Sequence, residues 1–395
     1  VSNNSDKKKI GILDRIPVYL ICAVTLCFII VFFVSEKKTF SQNENRKLAQ
    51  MPEFNFEKIK SGDFTSGFET FVADQFPARD AFMRLMAEVE RITGRKEIND
   101  IYLAKDGSLI ERYKYPKNTA KQIDQFSKLA VNVENARCML MMVPTAVSVY
   151  SDLLPENAND PDLQQQIISD IYSAASDKLQ KIDVSTRLKD EAKKTVSEPL
   201  TEDVTGNRLF YRTDHHWTTY GAYIGYEAFC EAAGLTPVPL SEYKGEVVSE
   251  NFKGTIYSKL NDPYFGADRI VSYSYPDWKL SVEYSDTEEV TDTPYNKEYL
   301  SEKDQYSYFL NNIHPMITIT NDAVQDGAIA LVKDSYANSI VPFLLAHYHT
   351  VYVFDTRYYK GGPSKFINEH PEISDVLILY NMNTIDNDTG IGGIF

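Results

Sequence analysis

Apolar residues fall into three rhythms along the chain, and each predicts a different element. The first is an unbroken run, Ile16 to Val34 (IPVYLICAVTLCFIIVFFV), 19 residues without a charge. As a helix rising about 1.5 Å per residue it just spans a hydrocarbon core. An uncleaved membrane anchor fits better than a signal peptide, because Phe33-Val34-Ser35-Glu36-Lys37-Lys38 is a poor cleavage site. A buried core helix, the other alternative, is disfavoured by the length and all-round apolarity. The second rhythm is helical spacing from Glu57 to Arg95. Phe64, Phe68, Phe71 and Val72 share one face and Phe82, Leu85, Met86 and Val89 continue after Pro77, which predicts two short helices.

The third rhythm is the short continuous apolar run bounded by turn residues, the pattern of a strand buried on both faces. It occurs at Cys138–Val143, where Pro144 ends it, and at Ala328–Val332, Val351–Phe354 and Val376–Tyr380. A shorter strand is expected at Ile182–Val184, after a helix from Asp162 to about Leu179. Helix-length connections separate the runs, so the fold class is α/β with a doubly wound sheet, which binds ligands beyond the carboxyl ends of its strands. Two departures interrupt the rhythm. Asp106-Gly107 sits between two extended runs and predicts a hairpin, and alternation such as IVSYSY and LSVEYS predicts a β-rich insertion at about 235–310. The expected organisation is a tail (1–15), an anchor (16–34), a polar stalk (35–56), a helical and hairpin lead-in (57–119) and an α/β domain (120–395).

Composition narrows the partners. With 43% apolar and 25% charged residues, the chain is neither disordered, collagenous nor a polytopic membrane protein. Its 56 acidic against 41 basic side chains give −15, a sign that repels phosphate backbones and excludes nucleic acid as a partner. Lys7, Lys8, Lys9 and Arg15 before the apolar run outnumber Lys37 and Lys38 after it, so the amino terminus is expected in the cytoplasm and the remaining mass outside. The 26 Tyr suit a half-wet, carbohydrate-facing groove, although Tyr also fills strands. Of 4 Cys, Cys22 and Cys27 fall in the apolar run, while Cys138 and Cys230 read as buried thiols. A disulfide framework is excluded.

Candidate chemistry gathers at two places. Ser335 follows a buried strand and precedes the helical run IVPFLLAHY, where a serine projects above the sheet and helix-start amides face the site of an oxyanion. A helix cap is the plainer reading of the same residue. Thr213-Asp214-His215-His216-Trp217 stands just before a helix that Thr218 would cap. In an extended segment Asp214 and His216 share a face and His215 points away, so His216 is the expected general base and Asp214 its orienting carboxylate. A metal site is not expected, because adjacent imidazoles diverge and no third Cys or His stands at ligand spacing. The alternative to a catalytic role is that these side chains merely stabilise a helix start.

The chain resembles the bacterial DHHW family and, more distantly, the SGNH-like domains of alginate O-acetyltransferases. The stretches that carry the resemblance are Asn45-Arg46-Lys47-Leu48-Ala49 with Pro52, Asp74-Gln75-Phe76-Pro77-Ala78-Arg79-Asp80, Thr213-Asp214-His215-His216-Trp217-Thr218, Asp334-Ser335-Tyr336 and Asp355-Thr356-Arg357-Tyr358-Tyr359. The resemblance implies a three-layer SGNH-like fold in which Asp214 and His216 act as acid and base and Ser335 as nucleophile. Two departures bear on the oxyanion hole. Lys333 stands where a Gly is usual, and Leu310-Asn311-Asn312-Ile313-His314 replaces a Gly-Gly-Asn-like stretch. The Ser335 amide is one expected donor, with Asn311, Asn312 or Asn338 as the second. Arg357 either holds a substrate carboxylate or sugar hydroxyl or is simply salt-bridged. The implied activity is transfer or hydrolysis of O-acetyl groups on a cell-envelope glycan by a membrane-anchored, extracytoplasmic serine enzyme. It needs no metal or organic cofactor and is served, by analogy with the alginate enzymes, by a multi-pass acyl-transfer partner. The rival from another class is an inert glycan-binding or scaffolding protein, and a second rival is a metal-dependent hydrolase.

Overall fold

The computed structural model describes residues 12–41, 46–158, 162–196, 208–385 and 388–394; Lys7–Lys9 and Asn45 lie outside the described residues. The chain divides into two units, residues 1–88 and 89–395.

In the first unit the charge-free run forms helix α1 (Ile12–Val34), long and apolar enough to cross a membrane. The helical spacing downstream resolves into three helices rather than the expected two: α2 (Phe56–Ser61), α3 (Asp63–Asp74) and α4 (Arg79–Ile92). The extra break is at Gly62, whose φ of 88° is a left-handed conformation that ends α2, its amide donating to the Ile59 carbonyl. Asp74, at the end of α3, receives Arg46 at 2.9 and 2.6 Å and the Ala49 amide at 2.8 Å. The hydrogen bond from Arg46 outweighs burial and brings the Asp74 carboxyl down to about 2. The polar stretch expected to be a stalk is thus tied to α3.

The second unit is built on an eight-stranded sheet. Its strands in chain order are β1 (Arg137–Val143), β2 (Leu179–Lys181), β3 (Leu280–Tyr284), β4 (Val290–Thr291), β5 (Met316–Asn321), β6 (Ala328–Lys333), β7 (Thr350–Phe354) and β8 (Ile373–Asn381), arranged 4-3-5-7-6-8-1-2. The five strands β7, β6, β8, β1 and β2 are parallel, with Leu331 opposite Val353 on one side and Leu377 on the other. Strands β5, β3 and β4 extend the sheet in antiparallel fashion. This is the doubly wound α/β sheet that the apolar runs predict, with β6 buried along its whole length. Helices pack on it in pairs, Thr119–Asn132 with Pro363–Glu369 and Ser185–Val196 with Thr219–Ala233. The Asp106-Gly107 hairpin joins Ile101–Leu103 to Leu109–Glu111.

Two local expectations shift. The short strand is Leu179–Lys181 rather than Ile182–Val184, because the Asp183 carboxylate accepts from the Ser185 amide at 2.9 Å and so starts the next helix instead. The preceding helix correspondingly ends at Ala174. The β-rich stretch is only partly an insertion: Lys244–Phe252 and Asp268–Ser274 form a separate hairpin, but β3 and β4 belong to the main sheet.

Candidate active site

Ser335 opens a single 3-10 turn, Ser335–Ser339, at the carboxyl end of β6. From Ala328 to Leu345 every residue is buried except Ser335, which is half-buried, so the fold exposes this one hydroxyl and hides its surroundings. The turn is held by Asp334, fully buried. Its carboxylate accepts from the Tyr336 amide at 2.9 Å, the Asn381 amide at 2.8 Å, the Asn381 side chain at 2.7 Å and the Thr384 hydroxyl. Burial raises the Asp334 pKa, and these donors oppose that rise. Because Asn381 is the last residue of β8, the turn that carries Ser335 is bolted to the neighbouring strand.

The second element is not a strand. Residues 212–216 form a series of bends closed by the Phe210–Trp217 bridge, in which the Tyr211 amide donates to the His216 carbonyl at 3.2 Å. Buried Asp268 fixes the entry, accepting from the amides of Arg212 at 2.9 Å and Thr213 at 2.8 Å and from the Thr213 hydroxyl. Trp217 fixes the exit by donating its indole N–H to the Tyr336 carbonyl at 2.7 Å, which ties the loop to the Ser335 turn. Thr218 caps the following helix, as its position predicts, accepting from the Gly221 amide at 3.1 Å.

These two elements bring Asp214, His216 and Ser335 into one row. His216 Nδ1 lies 2.6 Å from Asp214 Oδ1, and His216 Nε2 lies 2.8 Å from Ser335 Oγ. An ionised carboxylate only accepts, so Nδ1 donates to Asp214 and Nε2 is left to accept the serine proton. Asp214 has four donors: the amide and ring of His216 on Oδ1, and the amide (2.7 Å) and hydroxyl (3.0 Å) of Thr255 on Oδ2. Burial alone would raise its pKa; the neighbouring imidazoles and these donors reverse that and hold the carboxyl far below the usual carboxylate range. Burial also lowers His216, with His215 second, so the imidazole stays neutral, its Nε2 lone pair open, well into mildly acidic solution.

Three residues absent from the sequence-based site complete it. Thr255 is the partner of Asp214 just given. Gly254 precedes it, and a Cβ there would lie 2.2 Å from the Asp214 Cβ and Oδ2, so only glycine allows this approach. Tyr306 stacks face to face on His216, centroids 3.7 Å apart and 9° from parallel, and its hydroxyl donates to the Ser335 carbonyl at 3.1 Å. The only sequence signal for them is the β-rich patterning and high Tyr content, neither of which singles out a residue.

The expectation for His215 is corrected. Its ring does not point away but lies against that of His216, centroids 3.9 Å apart, with Nδ1 2.7 Å from the Thr255 hydroxyl. Alternation fails because the segment bends instead of extending. Asp214, His215 and His216 consequently place one possible ligand atom each within 4.8 Å of one another. Asp214 already accepts four hydrogen bonds, and because the Thr255 hydroxyl donates to Asp214, His215 Nδ1 donates in turn to that hydroxyl, which leaves Nε2 as the His215 atom with a free lone pair.

The remaining candidates are placed as follows. Leu310, Asn311 and Asn312 all have left-handed φ (59°, 55° and 77°), the conformation a glycine stretch would take. Asn311 Oδ1 accepts from Asn296 and Asn312 Oδ1 from the Ser307 hydroxyl. Asn338 lies in the Ser335 turn, and its buried Oδ1 has no hydrogen-bond partner among the described residues. Arg357 is engaged by Asp355, with Nε at 2.8 Å, and approaches Asp388 at 3.9 Å. Buried Lys333 approaches the same Asp355 at 3.9 Å.

The fold is a doubly wound α/β sheet with a serine at a strand end and an Asp-x-His-Trp loop facing it. The chain belongs to the DHHW protein family, whose profile matches residues 121–354. Its fold is similar to a DHHW family protein from Eubacterium siraeum (23% identity, 75% of this chain and 95% of that one, TM-score 0.62) and to Bacillus cereus PatB1 solved with a sulfonyl adduct (19%, 75% and 99%, 0.60). A weaker likeness is to the O-acetyltransferase domain of Pseudomonas putida AlgJ (16%, 73% and 92%, 0.42). No curated protein matches the chain.

Proposed function

We propose that this protein is a membrane-anchored, extracytoplasmic serine acyltransferase or esterase acting on O-acetyl groups of a cell-envelope polysaccharide. The observation that carries the reading is the continuous row Asp214–His216–Ser335, with its hydroxyl end alone accessible. Ser335 Oγ attacks the acyl carbonyl while His216 Nε2 takes its proton. The resulting imidazolium is stabilised by Asp214, and the tetrahedral oxyanion by the Ser335 amide with a second donor, for which Asn338, Asn311 and Asn312 are the candidates. Collapse expels the donor's oxygen, which takes the proton from His216 and leaves an acyl-serine. A glycan hydroxyl or water then gives its proton to His216, attacks the acyl carbon and returns the proton to Ser335 as the C–O bond breaks. Arg357 is a candidate for orienting the acceptor.

PatB1 bears a sulfonyl adduct and the AlgJ domain is named an O-acetyltransferase, which accords with a reactive nucleophile and acyl-transfer chemistry. No metal or organic cofactor takes part in this scheme. Helix α1 is the anchor, with the tail in the cytoplasm, and the acyl group is delivered by a multi-pass membrane partner. The test is to supply the full chain with an activated acetyl ester and a glycan fragment. O-acetylated glycan identifies a transferase, acetate alone an esterase, and neither product indicates an inert glycan-binding protein. Turnover is expected to survive a strong chelator. A carboxyl-terminal tag that proteases cannot reach in intact cells would overturn the topology.

A further inference from the structure

Between Arg15 and Val34 every residue of α1 is exposed except Phe28 and Phe32, which are half-buried and lie four apart on one helix face. The residues covering them come from the helices that follow. The Phe28 ring stacks on Phe76 at 5.3 Å and meets Phe82 at 5.8 Å, and Phe32 meets Phe71 edge-on at 5.8 Å. Phe28 lies about 9 Å inside the carboxyl end of the charge-free run of α1, at about 1.5 Å per residue. Half a hydrocarbon core is about 15 Å thick. If α1 spans a bilayer, Phe76 and Phe82 therefore stand below the hydrocarbon boundary, because rings in contact share a depth.

The rest of this face is largely apolar and uncovered, with Glu69 and Arg79 as the charged residues that share its groove. Phe68, Phe76, Phe82, Leu85 and Met86 are between 38% and 59% exposed, and Phe68, Val72, Phe76, Phe82 and Met83 line one groove. Charge does not oppose a membrane setting. Residues 1–88 hold 12 Lys and Arg against 11 Asp and Glu, so the acidic excess of the chain lies beyond them and this unit is not repelled by anionic lipid.

We propose that α3 and the first half of α4 are interfacial helices whose Phe-rich face is immersed in the acyl chains of the leaflet into which α1 emerges. The inference rests on the reading of α1 as a membrane span. Its occupant is lipid rather than a protein partner, because the ring contacts carry the face to the depth of the apolar run, where lipid is the surrounding solvent.

The test uses the full chain in phosphatidylcholine bilayers, with and without lipids brominated midway along the acyl chain. Tryptophan is introduced singly by Phe28→Trp, Phe76→Trp and Phe82→Trp, and the emission of the parent, from Trp217 and Trp278, is subtracted. Leu85→Trp, at a side chain 56% exposed and free of tight packing, gives the same reading if a ring substitution disturbs folding. The expected result is a blue-shifted added emission at all four sites that brominated lipid largely abolishes. Quenching of Phe28→Trp without quenching of Phe76→Trp, Phe82→Trp and Leu85→Trp overturns the proposal and leaves the anchor standing. No quenching at any site removes both. Blue-shifted emission that bromine fails to quench means that protein covers the face, and it also overturns the proposal.

Discussion

The two halves of the candidate site are held in different ways. The Ser335 turn hangs from β6, which is paired on both sides and buried throughout, and its one carboxylate is bound to the end of β8. Among the described residues the Asp214–His216 loop has no strand beneath it. Its shape comes from side chains and a glycine distant in sequence: Gly254 and Thr255 against Asp214, Asp268 on the loop amides and Tyr306 on the imidazole. The sheet positions Ser335 and tertiary contacts position His216. Changes around the loop should accordingly separate chemistry from stability, whereas changes beneath the turn should damage both.

The largest effect is expected from the row itself. His216→Ala and Ser335→Ala should each lower acyl turnover by about 10³-fold or more, and the double variant little further, since the residues act as a unit. Additive losses measured on the same ester would break the row. Next is Gly254→Ala, whose added Cβ must push Asp214 away. Misplacement of about 1 Å costs about 10²-fold in rate, so turnover should fall to that extent while circular dichroism retains the α/β signature. Parent-like rates would show that the loop is not rigidly supported. Tyr306→Leu removes a flat wall from His216 and a hydrogen bond to Ser335, and a loss of about tenfold is expected, on the order of the 1.4 kcal/mol that an aromatic contact supplies.

The smallest effect is a shift along the pH axis. The base must be neutral, so turnover rises with pH through the His216 pKa; because burial and His215 lower that pKa, half-maximal rate should fall below the ordinary imidazole value of about 6.5. His215→Ala removes a charge that disfavours His216 protonation. The acid limb should move to higher pH, with a smaller loss at the plateau than His216→Ala causes. An unmoved limb, or equal loss from both variants, would separate His215 from the base.

The contrast between the halves also explains what the sequence makes legible. Strands β1, β6, β7 and β8 stand out because burial on both faces leaves an unbroken apolar run, and a serine after such a run is placed by the strand end alone. The pairing of Asp214 with His216 is legible too, being local. The orientation of His215 is not, since alternation presupposes an extended chain and this one is bent, held by contacts distant in sequence. Thr255, Asp268 and Tyr306 stand 39 to 90 residues beyond His216, in a segment whose only visible signal is alternation. Nothing in that signal encodes which residue folds back on an imidazole.

The central claim, that Ser335 is an activated nucleophile, is tested most directly by intact-mass analysis and peptide mapping of the full chain after treatment with a sulfonyl fluoride or an activated acetyl ester. The account predicts one adduct per chain, on Ser335, formed more slowly as pH falls and absent from Ser335→Ala and His216→Ala. A correctly folded chain that gains no mass at Ser335, or gains it equally in His216→Ala, would contradict the account and leave glycan binding without turnover as the better description.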